Sequence, residues 1–279
     1  QVDPYLITSA NDLARMSVWV NSGEYADKHY ALTNDIDLSG YAFTPIGNPV
    51  SPFAGTFDGQ NFKISGLKVE AQGTEGGEYC LGLFGAVSSG AQIKSLGLNG
   101  GDISFTSDEE IASLHVGGIA GVNGGRIENV YSYVNINITV NGYTAEAAAG
   151  GIAGRNEANC DIAGSLFAGE IAVSGALDAV GGISGDNYGR IQNTYNAGEI
   201  SVEDPSGSTF AGGIAGITRI GSDTAFSVNG GPVISAKAGG VAGYRESETM
   251  VIRYSYYSSD LSLTQSAVFG ENDIDGGTN

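Results

Sequence analysis

The chain reads GGISGDNYGRIQNTYNAGEISVE from Gly181 to Glu203, and this stretch decides the fold. It begins with a G-x-x-G element and continues into the pattern I-x-N-x-Y-x-x-G-x-I-x-V, which starts at Ile191. The six marked positions follow one another at steps of 2, 2, 3, 2 and 2 residues. A step of two is the side-chain period of a β-strand, so the marked side chains are predicted to share a face. The step of three predicts a corner.

The G-x-x-G element recurs along the chain, and its closing glycines are 36, 33, 31, 31 and 27 residues apart. A further 27 residues lead to Gly270, which indicates a seventh copy. We expect these glycines to supply a positive φ at corners and to let backbones approach closely. The six clear copies are Gly82-Leu83-Phe84-Gly85, Gly118-Ile119-Ala120-Gly121, Gly151-Ile152-Ala153-Gly154, Gly182-Ile183-Ser184-Gly185, Gly213-Ile214-Ala215-Gly216 and Gly240-Val241-Ala242-Gly243.

Copies of the strand pattern begin at Ile93, Ile127, Ile162, Thr224 and Ile252. A unit of about three short strands cannot bury its own apolar face and has to stack on its neighbours. The repeat therefore predicts an all-β fold, a parallel β-helix, in which like residues lie above like residues. Its predicted core contains Ile36, Leu38, Leu83, Ile119, Ile127, Ile152, Ile162, Ile183, Ile191, Ile200, Ile214, Val241 and Leu261, and its predicted amide ladder contains Asn123, Asn156 and Asn187.

The chain is expected to form one domain: residues 1–80 are a cap and the first coils, 81–270 the repeats, and 271–279 a tail or the start of a further coil. Ser9 and Asp12 have the spacing of a helix capping box, and Leu13, Met16 and Val20 follow on one helical face. We expect this short helix to cover the open end of the core. Strands are then predicted at 30–32, 35–38, 55–57 and 62–69.

The composition restricts the partners. The 279 residues include 31 Asp and Glu but 12 Lys and Arg, which gives a formal net charge of -19. Such a charge repels nucleic acid and anionic membrane surfaces. No apolar run reaches the 18 or so residues of a membrane span, so this segment is not expected to insert. Cys80 and Cys160 lie at different phases of the repeat, so we expect no disulfide between them.

These patterns resemble the GLUG motif of bacterial cell-surface proteins, which also occurs beside the peptidase domain of some bacterial IgA-specific metallopeptidases. The segments 32–38 (LTNDIDL), 45–47 (PIG) and 53–59 (FAGTFDG) are similar to the first coils that commonly precede such repeats. The resemblance covers nearly the whole chain. It implies a right-handed β-helix on an exported, adhesin-like protein and no catalytic residues. The chain lacks the H-E-x-x-H zinc motif, so no peptidase activity carries over.

Asp35, Asp37 and Asp58 are the candidate catalytic residues, because polysaccharide-active enzymes also use β-helices. On a strand, Asp35 and Asp37 would share the outer face about 6.6 Å apart, which approaches the separation of an inverting glycosidase pair. Asp58 could join them from a neighbouring coil. The alternative, which we favour, is that these carboxylates bind turn amides.

Other chemistry has weaker support in the sequence. His29 and His115 are the only histidines, and neither lies in a nucleophile-rich or metal-binding motif, so both are interpreted as structural or surface residues. The acidic runs 108–110 and 273–275 could offer oxygens to calcium, but they match neither an EF-hand loop nor the G-G-x-G-x-D repeat and are interpreted as solvated. We expect no cofactor and no metal ion.

Two polar or aromatic columns recur at fixed repeat positions. Arg126 and Arg190 each precede the strand isoleucine, and Tyr131, Tyr195 and Tyr256 share one position. Aromatic rows bind sugar rings in some proteins, but tyrosines in register more often pack on the sheet, which we favour here.

The predicted function is a non-enzymatic extracellular or bacterial cell-surface module, an adhesin-like stalk or binding scaffold, acting as a monomer on a host or cell-surface protein or glycan. The alternative is a carbohydrate-binding or polysaccharide-active β-helix that uses the three aspartates. After Gly270 the sequence supplies too few apolar residues to complete a coil, so we expect the native polypeptide to continue past Asn279.

Overall fold

The computed structural model describes residues 3–142, 144–247, 251–258 and 269–271. Parallel strands form three sheets that wind into a β-solenoid. A single helix among the described residues, α1 (Ala10–Asn21), lies between the first two strands of the chain. The first sheet contains β1 (Tyr5–Ile7), β2 (His29–Leu32), β3 (Ile36–Asp37), β4 (Thr56–Asp58), β5 (Lys63–Gln72), β8 (Gln92–Ser107), β11 (Arg126–Ser132), β12 (Asn135–Val140), β15 (Asp161–Ala163), β16 (Leu166–Phe167), β17 (Glu170–Ser174), β20 (Arg190–Gln192), β21 (Tyr195–Asn196), β22 (Glu199–Glu203), β25 (Asp223–Ala225), β26 (Val228–Asn229), β27 (Val233–Ile234), β30 (Val251–Arg253) and β31 (Tyr256–Tyr257). The second sheet contains β7 (Phe84–Val87), β10 (Ala120–Asn123), β14 (Ala153–Asn156), β19 (Ser184–Asn187), β24 (Ala215–Thr218), β29 (Ala242–Arg245) and β32 (Phe269–Glu271). The third sheet contains β6 (Glu78–Leu81), β9 (Ser113–Gly117), β13 (Ala147–Gly150), β18 (Ala179–Gly181), β23 (Phe210–Gly212) and β28 (Lys237–Gly239).

The strands stack in the register that the repeat predicts. Ile127 of β11 pairs with Ile93 below and Ile162 above, and Ile162 pairs with Ile191. In the second sheet, Phe269 pairs with Ala242, so the backbone reaches the expected seventh copy of G-x-x-G. The units that begin at β14, β19 and β24 have five strands each rather than the expected three, because in them the I-x-N-x-Y-x-x-G-x-I-x-V segment alone divides into three short strands of the first sheet.

The core runs through the middle of the solenoid. The predicted core residues among the described positions are all buried, from Ile36 in the first coils to Val241 near the last. Leu261 lies outside the described residues. Phe53, Phe57 and Phe84 add an aromatic cluster near the N-terminal end, where Phe53 and Phe84 have ring centroids 5.2 Å apart.

The N-terminal helix is capped as the sequence predicts. Ser9 accepts a hydrogen bond from the Asp12 amide at 3.2 Å and donates its hydroxyl to the Asp12 carboxylate at 2.9 Å. Hydrogen bonds from Thr8 and Ser9 lower the pKa of Asp12. Leu13 and Met16 are fully buried against the core, so the helix covers apolar side chains there.

One sequence expectation about side-chain direction is wrong. Ile191 points inward, but Asn193 and Tyr195, two and four residues later, are exposed, while Thr194 and Asn196 are buried. The cause is the backbone of Asn193, which has φ of 53° and turns the following residues over. The same left-handed conformation recurs at this repeat position in six coils, at Ser95, Asn129, Gly164, Asn193, Phe226 and Tyr254.

The second and third sheets meet along a line that we call the crease, which is formed by the closing glycines of the G-x-x-G elements. A Cβ atom added to Gly154 would lie 2.5 Å from the Val116 nitrogen and 2.7 Å from the Gly121 oxygen. Gly185 and Gly216 meet backbone atoms of the third sheet in the same way. These glycines do not have a positive φ, so close approach of two backbones, and not a left-handed turn, explains the motif.

The predicted amide ladder is confirmed. Asn123 donates to Asn156, and Asn156 donates to Asn187, at 2.8 Å in both cases, and the three side chains are fully buried. A second buried pair, Asn196 and Asn229, forms an equivalent bond of 2.8 Å on the first sheet.

Candidate functional site

Two of the three candidate carboxylates lie on the exposed side of the first coils and are held by backbone amides. Asp35 accepts a hydrogen bond from the Lys63 amide at 3.0 Å, and the Lys63 ammonium lies 3.6 Å from its other oxygen. Asp37, in β3, accepts a hydrogen bond from the Ser39 amide at 2.8 Å. Hydrogen bonds from Ser39 lower the pKa of Asp37, which favours the ionised form and opposes a role as a general acid.

The third carboxylate belongs to a different stack of strands. Asp58 in β4 is in register with Ala31 of β2 and Lys94 of β8, whereas Asp37 is in register with Ser65 of β5. Asp58 accepts a hydrogen bond from the Gln60 amide at 2.9 Å and lies 3.4 Å from the Lys94 ammonium. Each of the three carboxylates therefore has a local partner, and the strand pairing does not align Asp58 with the other two.

The two histidines have contrasting environments. His29 is exposed at the start of β2, while His115 in β9 is 5% exposed on the outer side of the third sheet, beside the crease. Burial lowers the pKa of His115 to about 4, and the positive charge of Arg155 contributes to the shift. The imidazole is therefore neutral near pH 7, and its Nε2 atom is buried without a hydrogen-bond partner.

No group of three or more His, Cys, Asp or Glu side chains is placed to hold a metal ion within the described ranges. In the acidic run 108–110, Asp108 accepts a hydrogen bond from Asn141 at 2.8 Å. The run 273–275 lies outside the described residues. Both thiols are free: Cys80 is in the third sheet, and Cys160 lies just before β15 of the first. Burial raises the pKa of each thiol to about 11, so neither is an activated nucleophile.

The structure contains a charged cluster beside the crease, which the sequence did not predict. Arg219 binds Asp186 through two hydrogen bonds, of 2.7 and 3.2 Å, and Asp186 is almost fully buried. The guanidinium groups of Arg155 and Arg219 lie 4.8 and 5.5 Å from the ring centre of Tyr188. Arg155 also pairs with Glu157 at 3.0 Å. Arg155 also contacts Glu146, and Arg219 lies 3.5 Å from Glu246, so carboxylates outnumber the guanidinium groups in this cluster. Its ion pairs hold the outer sides of neighbouring coils together.

A signal for this cluster exists in the sequence. Arg155 and Asp186 each follow a closing glycine directly, so they share a repeat position, and the structure pairs them in register. Tyr188 and Arg219 share the position two residues later. The arginines singled out from the sequence lie elsewhere: Arg190 binds Asp161 at 2.9 and 3.0 Å on the first sheet.

An aromatic ridge lies on the outer side of the first sheet, formed by Tyr195, Phe226, Tyr254 and Tyr256. The predicted register of the tyrosine column is confirmed. Tyr131 and Tyr195 both pair with Leu166, and Tyr195 and Tyr256 both pair with Val228. Phe226 and Tyr254, which the sequence analysis did not single out, add a second column with ring centroids 5.0 Å apart and planes at 11°.

The fold has a counterpart among solved structures. The chain matches the 1.30 Å crystal structure of a protein designated an immunoglobulin A1 protease, from Bacteroides ovatus, with a TM-score of 0.66. The match covers 99% of this chain and 81% of the other, at 21% sequence identity. At this identity the likeness concerns the fold alone.

Two curated relatives share part of the sequence, whereas no family model matches. Halomucin of Haloquadratum walsbyi is 33% identical over 137 residues, and a protein designated a Gly-rich membrane protein of Evansella cellulosilytica is 31% identical over 134 residues. Each alignment covers 46% of this chain, but 1% and 14% of the respective relatives. Within its described part, the chain contains no helix with the length and apolar character needed to cross a membrane.

Proposed function

We propose that this chain is a non-enzymatic module of an extracellular or cell-surface protein, an adhesin-like stalk or binding scaffold of the GLUG type. The observation that carries the proposal is that Asp35, Asp37 and Asp58 each accept a hydrogen bond from a backbone amide. Asp37 and Asp58 bind the amide two residues further on, as carboxylates that stabilise turns do, and Asp35 binds the Lys63 amide of the next coil. A glycosidase, by contrast, needs one carboxyl with a raised pKa.

The relatives and the charge support the location and the kind of partner. One relative is named halomucin and the other a Gly-rich membrane protein, and these names support exposure at a cell surface. The net charge of -19 opposes contact with nucleic acid and anionic lipid, so the partner is a surface protein or a glycan. We expect a monomer in solution, to be checked by light scattering.

The test is the double substitution Asp35→Asn and Asp37→Asn. We expect the melting temperature to fall, because both carboxylates bind amides, and we expect no polysaccharide hydrolase or lyase activity in either the original chain or the variant. Asp108→Asn, in which an exposed carboxylate has a side-chain partner, is the matched control.

Reducing-end and unsaturated-product assays on a panel of polysaccharides measure the activity. Activity that the double substitution abolishes at an unchanged melting temperature would support the polysaccharide-active alternative and refute the proposal.

A further inference from the structure

The aromatic ridge exposes four rings on one face over three successive coils. Tyr195, Phe226, Tyr254 and Tyr256 are 41%, 53%, 64% and 53% exposed. Neighbouring coils repeat about every 4.8 Å, so the rings form two short columns along the solenoid axis. Large aromatic side chains grouped in this way on a soluble surface mark a binding region more often than single exposed rings do.

Two of these rings occupy backbone positions that disfavour aromatic residues. Phe226 and Tyr254 have φ of 52° and 51°, in the left-handed region that bulky side chains disfavour. Asn129, Gly164 and Asn193 occupy the same repeat position in earlier coils and suit that conformation. An aromatic residue there strains the backbone, and more than half of the surface of Phe226 and of Tyr254 is still exposed. Outliers of this kind concentrate at functional sites.

The charges around the ridge favour a neutral ligand. Arg253 and Asp223, which flank Phe226 and Tyr254 along the chain, neutralise each other through a contact of 2.7 Å. The net charge of -19 opposes the approach of acidic chains. The rings offer apolar faces and edges for the C–H groups of a sugar, and the tyrosine hydroxyls and the exposed Asn193 offer hydrogen bonds.

We propose that the aromatic ridge binds a neutral polysaccharide chain lying along the solenoid axis. A glycan is itself a regular series of rings, and it suits a surface on which each of three successive coils presents at least one ring. The inference rests on the proposed function as a binding scaffold and assigns that scaffold its ligand class and contact residues. No bond is made or broken in this binding.

The test variant is Phe226→Asn with Tyr254→Asn. Asparagine already occupies this position in two other coils, so the substitutions remove both rings and keep a residue suited to the backbone. Tyr133→Asn, which removes a tyrosine that is 40% exposed outside the ridge, is the matched control. Phe226→Tyr keeps the ring and is expected to keep the binding.

Affinity electrophoresis is run through gels that contain laminarin, hydroxyethyl cellulose, galactomannan, soluble amylose or polygalacturonate. We expect at least one neutral glycan to retard the original chain, and the double variant to bind it at least about tenfold more weakly while its melting temperature does not fall. Circular dichroism monitors melting.

Binding to none of the neutral glycans, equal binding to polygalacturonate, or undiminished binding by the folded double variant would overturn the inference. Release of sugar products by the original chain would instead contradict the proposed non-enzymatic function, so the two failures are distinguishable.

Discussion

At the scale of single residues, His115 makes folding sensitive to acid. Its pKa is about 4 in the native chain, against 6.5 for an ordinary histidine, chiefly because it is buried, with Arg155 adding to the shift and Asp186 opposing it. Above pH 6.5 the imidazole is neutral in both the folded and the unfolded chain, so it contributes nothing to the pH dependence of stability. As the pH falls from 6.5 to 4, the unfolded chain takes up the proton first, which costs about 3 kcal/mol of stability.

The free energy of unfolding should therefore fall between pH 7 and pH 4 in both chains. We expect this fall to be about 3 kcal/mol smaller in His115→Gln than in the original chain. The comparison of slopes separates this effect from any constant loss caused by the substitution. His29→Gln, which removes the exposed histidine, is the matched control. Denaturant unfolding at a series of pH values gives the slopes, and parallel curves for His115→Gln would contradict the assignment.

The residue scale also shows where sequence reasoning stops. The inward positions Ile191 and Ile200 follow from apolar periodicity, because burial fixes the face of a strand. The reversal at Asn193 does not, because its positive φ is compatible with asparagine but is not required by it. A period of two therefore predicts that Tyr195 faces inward with Ile191, whereas the turn at Asn193 places it on the outer face.

At the scale of elements, the close approach of two sheets at the crease explains why the G-x-x-G motif requires glycine. We expect Gly154→Ala to cost about 3 kcal/mol, because its Cβ would meet backbone atoms of Val116 and Gly121 that cannot move without separating two sheets. Gly90→Ala is the matched control: Gly90 has φ of 83° and open space around it, so that substitution costs conformational strain of about 1 kcal/mol.

Thermal unfolding of both variants distinguishes the two causes. A larger loss for Gly90→Ala than for Gly154→Ala would show that dihedral freedom, and not close approach, selects these glycines. The sequence predicted the positions of the motif from its spacing, but it could not choose between these two reasons for glycine.

The aromatic ridge and the charged cluster beside the crease differ in how far the sequence predicts them. Tyr195 and Tyr256 share a repeat position, so their column followed from counting residues. The contact of Tyr188 with Arg155 and Arg219 joins different repeat positions in different coils and needs the path of the chain. Residues that share a repeat position can be found by counting along the sequence. Contacts between residues at different repeat positions depend on the turns between strands, which the repeat alone does not give.

At the scale of the whole molecule, stacking in register places like charges opposite one another. Glu170 of β17 and Glu199 of β22 are paired residues, and both are exposed. Like charges directly opposite on a sheet destabilise it, and the excess of 31 acidic over 12 basic residues adds a general repulsion. The solenoid keeps its acidic surface because the continuous core outweighs this repulsion.

We expect the melting temperature to rise when sodium chloride increases from 10 to 200 mM, because the screening length shortens from about 30 Å to less than 10 Å. Glu199→Gln should raise the melting temperature in low salt and reduce the response to salt, since it removes one side of the repulsive pair. Glu157→Gln is the matched control. It should lower the melting temperature in low salt, because Glu157 pairs with Arg155 at 3.0 Å. Calorimetry of the three chains at both salt concentrations measures the effect. A melting temperature that falls with salt in the original chain would mean that attractive ion pairs outweigh the repulsion between carboxylates.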